Sequence, residues 1–293
     1  MIWKGTDRKM HVEIVDLYQH YGLIGEENHQ GKLTCWLQST SEKISLSRKR
    51  PAVLILPGGA YGWTSPREAE PVALRFAAVG YAAFVLDYTC APAGFPVALR
   101  EAALAMRYIR ENARQFEVDP HMVAALGFSA GGHLCGTLGT LYDCPEVADI
   151  APAAQIRPDA LCLCYPVAVS WGNTHEMSFE NISKGDPELR QRLSLEKLVR
   201  SDMPPVFLWH TRDDGSVPVR NSLILGNALA EANVEFTMHI YRHGQHGLST
   251  ADAQSYPTDG IPSISWDVPG WLEGALRFFA EVGFHIHDEE VAL

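Results

Sequence analysis

Ser129 stands in Gly127-Phe128-Ser129-Ala130-Gly131-Gly132, a G-x-S-x-G pattern with glycine two positions before the serine and two after. The apolar run 122–126 ahead of it has the composition of a strand, and the small-residue stretch 133–141 behind it reads as a helix. A sharp turn between the two, which the glycines permit, projects a serine side chain from the edge of a sheet at the positive end of a helix. The chemistry open to such a hydroxyl is attack on a carbonyl, with the oxyanion stabilised by the free N–H groups of the helix. The plainer reading of the same residues is a tight turn in which Ser129 caps the helix. What separates the two is whether a base and an orienting acid follow in the chain.

A serine hydroxyl is a weak nucleophile at neutral pH, so it needs a histidine to take its proton and a carboxylate to fix that histidine's tautomer. A strand over 206–210 runs into Thr211-Arg212-Asp213-Asp214-Gly215-Ser216-Val217-Pro218, a polar turn past a strand's C-terminal edge, where open sheets carry their sites. Asp214 and Asp213 both offer the acid there, and either could instead serve as a turn residue or cap the helix that opens at Pro218. A strand over 235–241 ends in Arg242-His243-Gly244-Gln245-His246-Gly247. His246 lies in a glycine-bracketed loop free to turn its ring back toward the serine, with His243 as its competitor. The chain has 12 histidines, so position relative to the other two groups is what selects His246. His210, on the strand, reads as a core histidine.

Pro57-Gly58-Gly59-Ala60-Tyr61-Gly62 follows the apolar run 52–56. A loop of such small residues presents backbone N–H groups unshielded by side chains, and those of Gly59 and Ala60, with that of Ala130, are the expected oxyanion donors. A phosphate-binding glycine loop is the competing reading, but no Gly-Lys-Ser/Thr closes this one and the dinucleotide spacing of glycines is missing.

These groups need a scaffold, and the chain alternates short apolar runs with helical patterns. Strands are expected over 11–15 and 32–37, forming a hairpin at one edge with Gly22, Gly25 and Gly31 in the turns, then over 52–56, 81–87, 122–126, 160–165, 206–210 and 235–241. Helices are expected over 68–79, 96–112, after Ser129, over 218–232 and over 271–282, with Leu99, Ala102, Met106 and Ile109 forming one apolar face. Repeated strand–helix–strand units imply right-handed crossovers, hence a mostly parallel central sheet with helices on both faces, an α/β fold. The rhythm breaks over 166–205, read as a small cap or lid insertion, and again over 250–269, read as a second loop.

At 293 residues with 46% hydrophobic content the chain is expected to form one domain over 1–293 with a sizeable core. Lys+Arg 24 against Asp+Glu 35 gives a net charge of −11, which argues against nucleic acid as a partner. Lys4, Asp7, Arg8, Lys9 and Glu13 interrupt the N-terminal stretch and leave no signal-peptide core, and no run of 18 apolar residues spans a membrane, so the expected compartment is cytoplasmic. The 6 cysteines show no metal-ligand spacing and read as free thiols; no metal is expected. A homodimer is the commonest assembly and the default expectation.

Together these residues resemble the α/β-hydrolase family, and within it the bacterial acetyl esterase and acetyl-xylan-esterase-like branch related to hormone-sensitive lipase. Asp87-Tyr88, Ala91-Pro92 and Phe95-Pro96-Val97-Ala98-Leu99 are similar to the block that follows the fourth strand in that branch. Pro66-Arg67-Glu68-Ala69-Glu70-Pro71-Val72-Ala73 and the pair Pro204-Pro205 resemble its acetyl-xylan-esterase-like members more closely still. The likeness runs from Pro51 to Phe279. It aligns Asp214 with the aspartate of D-x-x-V-P and His246 with the histidine of G-x-H-G, which favours these over Asp213 and His243. The chain departs from the lipase-like His-Gly-Gly-Gly at the oxyanion loop, where it has Pro57-Gly58-Gly59-Ala60.

The resemblance implies a serine carboxylesterase with no cofactor, acting through an acyl-enzyme on small-molecule esters of short, chiefly acetyl, acyl groups on sugars such as xylo-oligosaccharides. Tyr61, Trp63 and Trp171 are the aromatics that could stack on a sugar ring, although such residues are core groups at least as often. Two other classes remain open at this point: a peptidase or amidase of the prolyl-oligopeptidase type, and a non-catalytic binding module on the same scaffold. A histidine base acts only when neutral, and an ordinary imidazole titrates at about pH 6.5. Turnover is therefore expected to rise between about pH 5 and 8, and a flat pH–rate profile with unchanged stability would count against His246 as base.

Overall fold

The computed structural model describes residues 10–25, 29–41, 43–45, 47–256 and 264–288. The charged positions Lys4 to Lys9 and the stretch 257–263 of the second expected loop lie outside the described residues. Strands β1 (His11–Asp16) and β2 (Lys32–Leu37) pair antiparallel at one edge, β2 pairs antiparallel with β4 (Ala82–Asp87), and from there the sheet is parallel. The order is β1-β2-β4-β3-β5-β6-β7-β8, with β3 (Arg48–Leu56), β5 (Val118–Phe128), β6 (Ala160–Cys164), β7 (Val206–Thr211) and β8 (Phe236–Tyr241). The link between β1 and β2 holds a helical turn, α1 (Leu17–Tyr21), that the sequence reading did not contain. Asp16 caps it by accepting the Gln19 N–H, and Gly22 closes it in the left-handed region.

The central strands read as unbroken apolar runs because both of their faces are covered. Ala52, Leu54 and Leu56 of β3 face one layer with Leu99 and Met106 of α3 (Val97–Glu111) and Leu134 and Leu138 of α5 (Ala130–Thr140). Val53 and Ile55 face the other, with Phe76 of α2 (Glu70–Ala78) and Trp271 and Phe279 of α11 (Trp271–Glu281). The remaining helices are α4 (Ala113–Phe116), α6 (Ala153–Ile156), α7 (Glu176–Ser183), α8 (Pro187–Arg192), α9 (Leu195–Leu198) and α10 (Arg220–Glu231).

Two differences from the sequence reading have physical causes. Strand β3 begins at Arg48, four positions before the apolar run, because the charged stretch is itself paired: Arg48 and Lys49 lie antiparallel to β9 (His287–Asp288). Arg50 is buried with its guanidinium donating to the Gln38 side chain, and its Nη2 lies 3.9 Å from Glu117. The segment 166–205 carries α7, α8 and α9 and is bonded into the body: the Asn221 carboxamide accepts from the N–H of Ala168 and of Val169, each at 3.0 Å. Phe179, Leu193 and Leu195 of this segment belong to the core.

At the end of β5 the chain turns through Ser129 at φ 53, ψ −116, a conformation that costs a non-glycine residue on the order of 1–3 kcal/mol. The turn can be this tight because a Cβ on Gly127 would lie 2.0 Å from the Gly131 carbonyl oxygen, and one on Gly131 would lie 2.1 Å from that of Leu56. Gly131→Ala is expected to lose about 2–3 kcal/mol of stability, read as a lower midpoint in urea unfolding; an unchanged midpoint would mean the turn can open without cost.

Candidate active site

Four connections at the C-terminal edge of the sheet line one cleft, those after β3, β5, β6 and β8, and the loop after β7 stands behind it with Asp214 on His246. The N–H of Ser129 donates to the Cys164 carbonyl at 3.0 Å, and its own carbonyl accepts from Val167 and His133, so the backbone around it is fixed. Its hydroxyl lies 2.8 Å from His246 Nε2, and His246 Nδ1 lies 2.7 Å from Asp214 Oδ2. Beside an ionised carboxylate Nδ1 carries the ring proton, which leaves Nε2 as the acceptor for the serine O–H.

Asp214 is buried and its carboxylate has four donors. Oδ1 accepts the N–H groups of Ser216 and Val217, each at 2.9 Å, while Oδ2 takes His246 and, at 3.2 Å, His210 Nε2. Burial pushes its pKa up, but the hydrogen bonds from His210 and His246 outweigh that and hold the carboxyl well below its usual range. It is therefore ionised at neutral pH. A carboxyl depressed on folding contributes stability above its unfolded pKa of about 4, and loses that contribution as pH falls below it.

His210, expected in the core, is fully buried and is also a partner of this acid. Its Nε2–H is shared between Asp214 and the Val217 carbonyl, and its Nδ1 meets the Ser222 hydroxyl at 2.7 Å. The two competing residues pair with each other instead: His243 Nδ1 lies 2.9 Å from Asp213 Oδ2, on the exposed side of the loops and apart from Ser129.

Ala60 and Tyr61 both have φ 57, which turns the Gly59–Gly62 loop back on itself. The Gly59 carbonyl accepts from Gly62 and Trp63, and the Ala60 carbonyl accepts from Asn181 Nδ2 at 2.9 Å. The N–H groups of Gly59, Ala60 and Ala130 make no hydrogen bond to a described residue; Gly59 and Ala60 line the cleft with Ser129, and Ala130 opens α5 directly behind it. One helical N-terminus and two loop amides thus stand free beside the serine hydroxyl, the arrangement an oxyanion requires.

Of the three aromatics expected to meet a substrate, only Trp63 lines this cleft, and it is exposed. Tyr61 is a correction. The left-handed pair at 60 and 61 sends its ring into the body, where its hydroxyl meets His133 Nδ1 at 2.7 Å. Trp171 is a second correction: its Nε1–H donates to Glu196 and Arg220 stacks on its ring, outside the cleft lining.

Three residues of the site carried no local signal. Glu68, 3% exposed, accepts the Gly58 N–H at 2.8 Å on one oxygen and the Tyr165 hydroxyl at 2.7 Å on the other. Tyr165 packs its ring edgewise on His246, with centroids 5.1 Å apart, and its oxygen accepts the Ser249 N–H. Glu68 thereby ties the loop after β3 to the ring that backs His246. His175, at the start of α7, adds an imidazole to the cleft, and burial lowers its pKa.

Comparison with known proteins gives the same picture. A family model described as BD-FAE matches residues 42–229. The chain is 36% identical over 219 residues to an endo-1,4-beta-xylanase B of Butyrivibrio fibrisolvens, covering 71% of this chain and 34% of that protein. It is 29% identical over 237 residues to an acetylxylan esterase of Xylanibacter ruminicola, covering 77% and 47%. The chain spans less than half the length of these two curated relatives. An acetyl ester-xyloside bifunctional hydrolase from Caldicellulosiruptor lactoaceticus superposes with a TM-score of 0.80 at 33% identity, over 93% of this chain and 97% of that one. An alpha/beta hydrolase enzyme from a Medee basin deep-sea metagenome library superposes with a TM-score of 0.75 at 32% identity, over 94% and 99%.

Removing the Glu68 carboxylate leaves two buried donors without an acceptor. Glu68→Ala is expected to destabilise by about 2–5 kcal/mol and to slow labelling of Ser129 by a fluorophosphonate, with Glu68→Gln milder on both counts. Unchanged unfolding and labelling would remove Glu68 from the support of the site.

Proposed function

The chain belongs to the BD-FAE family, and from that premise we propose that it is a serine carboxylesterase that removes short acyl groups, chiefly acetyl, from sugars. The observation that carries this is the unbroken hydrogen-bonded series Ser129–His246–Asp214 beside three backbone N–H groups with no acceptor among the described residues. In this reading Ser129 Oγ attacks the ester carbonyl as its proton passes to His246 Nε2, and the amides of Gly59, Ala60 and Ala130 hold the oxyanion. His246 then gives the proton to the departing alcohol, and water admitted to the same place releases the acid by the reverse transfer. Asp214, ionised throughout, orients the imidazole and offsets its positive charge.

The acyl preference is supported by the size of the cleft, about 130 Å³, or on the order of four water volumes at ~30 Å³ each. A group of a few carbon atoms suits that space. The sugar part rests on what the relatives are named for, an acetylxylan esterase and an acetyl ester-xyloside hydrolase, and on exposed Trp63 at the mouth, whose face suits a pyranose ring. A second cleft of about 390 Å³ shares Trp63, and Asp87 in its lining offers a carboxylate acceptor for sugar hydroxyls.

Hydrolysis of a p-nitrophenyl ester series from acetyl to octanoyl tests the assignment, with Ser129→Ala as control. Acetyl is expected to be fastest, and the alanine variant to fold normally while losing on the order of 10⁵–10⁶ in kcat. Amide turnover exceeding ester turnover would move the assignment to an amidase, and no turnover of any ester would overturn it.

A further inference from the structure

We propose that Arg67 binds a carboxylate on the alcohol side of the ester, so that the preferred substrate is an acetylated saccharide bearing an acidic group. The proposal rests on the esterase reading and narrows its substrate class. It starts from a charge imbalance. The chain has fewer cations than carboxylates, and many of its described arginines are paired, such as Arg75 with Asp252, Arg100 with Asp149, Arg190 with Glu176, Arg192 with Glu146 and Arg200 with Asp143; what sets Arg67 apart from the unpaired ones is its place beside Ser129. Arg67 is exposed in the wall of the Ser129 cleft and forms no ion pair with any described residue.

Neither described acid near the nucleophile forms an ion pair with it. Both oxygens of Glu68 are engaged by Tyr165 and Gly58, and the Asp214 carboxylate lies buried behind His246 with four donors. Arg67 is therefore the one arginine in the lining of the cleft, and no described carboxylate forms an ion pair with it. A guanidinium in that position offers a planar fork that matches a carboxylate with two parallel hydrogen bonds.

Its location decides which half of the ester would carry the charge. Arg67 Nη2 lies 3.1 Å from where a Cβ on Gly247 would stand, and the guanidinium rests on the Tyr256 ring with its carbon 5.6 Å from the centroid. It thus sits against the residue that follows His246. The departing alcohol takes its proton from His246 Nε2 and must lie within reach of that ring. The acyl oxygen points instead toward Gly59, Ala60 and Ala130. A charge that meets Arg67 is therefore on the alcohol, and with a saccharide as the alcohol this describes a uronic-acid type of neighbour to the acetyl group.

The experiment compares kcat/KM for 4-acetoxybenzoate with that for its neutral methyl ester, which share the acetyl group and the leaving ring. Arg67→Gln is expected to lower the anionic-to-neutral ratio about tenfold, mainly through KM, and Arg67→Lys to retain part of it. In the wild type the ratio is expected to shrink between low salt and ~0.5 M NaCl, because the contact is solvent-accessible. If Arg67 only steadies Tyr256 and the His246 loop, Arg67→Gln lowers both substrates alike and the ratio stays put, which overturns the proposal while leaving the esterase reading intact. If the wild-type protein hydrolyses neither ester, the esterase reading fails and this inference falls with it.

Discussion

The contact on which the rest of the structure depends is the approach of Gly131 to the carbonyls of Leu56 and Pro57, where no side chain fits. It joins the turn after β5, which bears Ser129, to the end of β3, from which the oxyanion loop departs. The distance between nucleophile and loop amides is thus set by backbone packed on backbone, with no flexible side chain between them. The left-handed strain at Ser129 is sustained because β5 is flanked by β3 and β6 and because Cys164 and Val167 bond the serine's own peptide groups.

Buried carboxylates then fix the loops around that contact, and their surroundings give them different characters. Glu101, fully buried in α3, accepts from the N–H and hydroxyl of Thr89 and from Tyr18, and burial still pushes its pKa up because these neutral donors and the charge interaction with His29 offset it only in part. Asp214 is also pushed up by burial, but two of its donors are imidazoles, and their hydrogen bonds carry it down. In the esterase reading, a carboxylate that offsets a developing imidazolium has to remain charged in a dry site. His210 helps to keep it so, and this gives a buried histidine four positions away a role in the site without any contact to the cleft.

The fold was legible where one face or both of an element had to be apolar. The runs of β3 to β7 and the Leu99–Ile109 face of α3 appear in the sequence as buried groups do, with the period of the element they occupy. Ser129 and His246 were legible because a sharp turn and a glycine-bracketed loop demand particular residues next to the functional one. Asp214 was separable from Asp213 only through the family pattern; both are aspartates in one turn, and the difference is which of them points inward. The pairing of Glu68 with Tyr165 could not be read, since the bond spans 97 positions and the family-like stretch around Glu68 says nothing of its partner. Tyr61 shows the converse error: an aromatic beside a cleft was expected to face it, and two residues of positive φ turned it the other way.

The segment 166–205 bears on how much of the site exists before substrate arrives. A mobile flap would keep its apolar residues for contact with the ligand, yet Phe179, Ile182, Leu193 and Leu195 are spent in the core. Its backbone is held as well, by Asn221 at one end, by the Leu195 N–H on the Ala168 carbonyl, and by His133 Nε2 on the Leu193 carbonyl. From this fixed wall Asn181 reaches the Ala60 carbonyl, while Glu68 holds the Gly58 N–H from the opposite side. The Gly58–Gly62 loop is therefore held from two residues, while the N–H groups of Gly59 and Ala60 make no hydrogen bond to a described residue. Donors set in place at folding need no reorganisation when charge develops on the substrate, and that is where electrostatic catalysis draws most of its advantage over water.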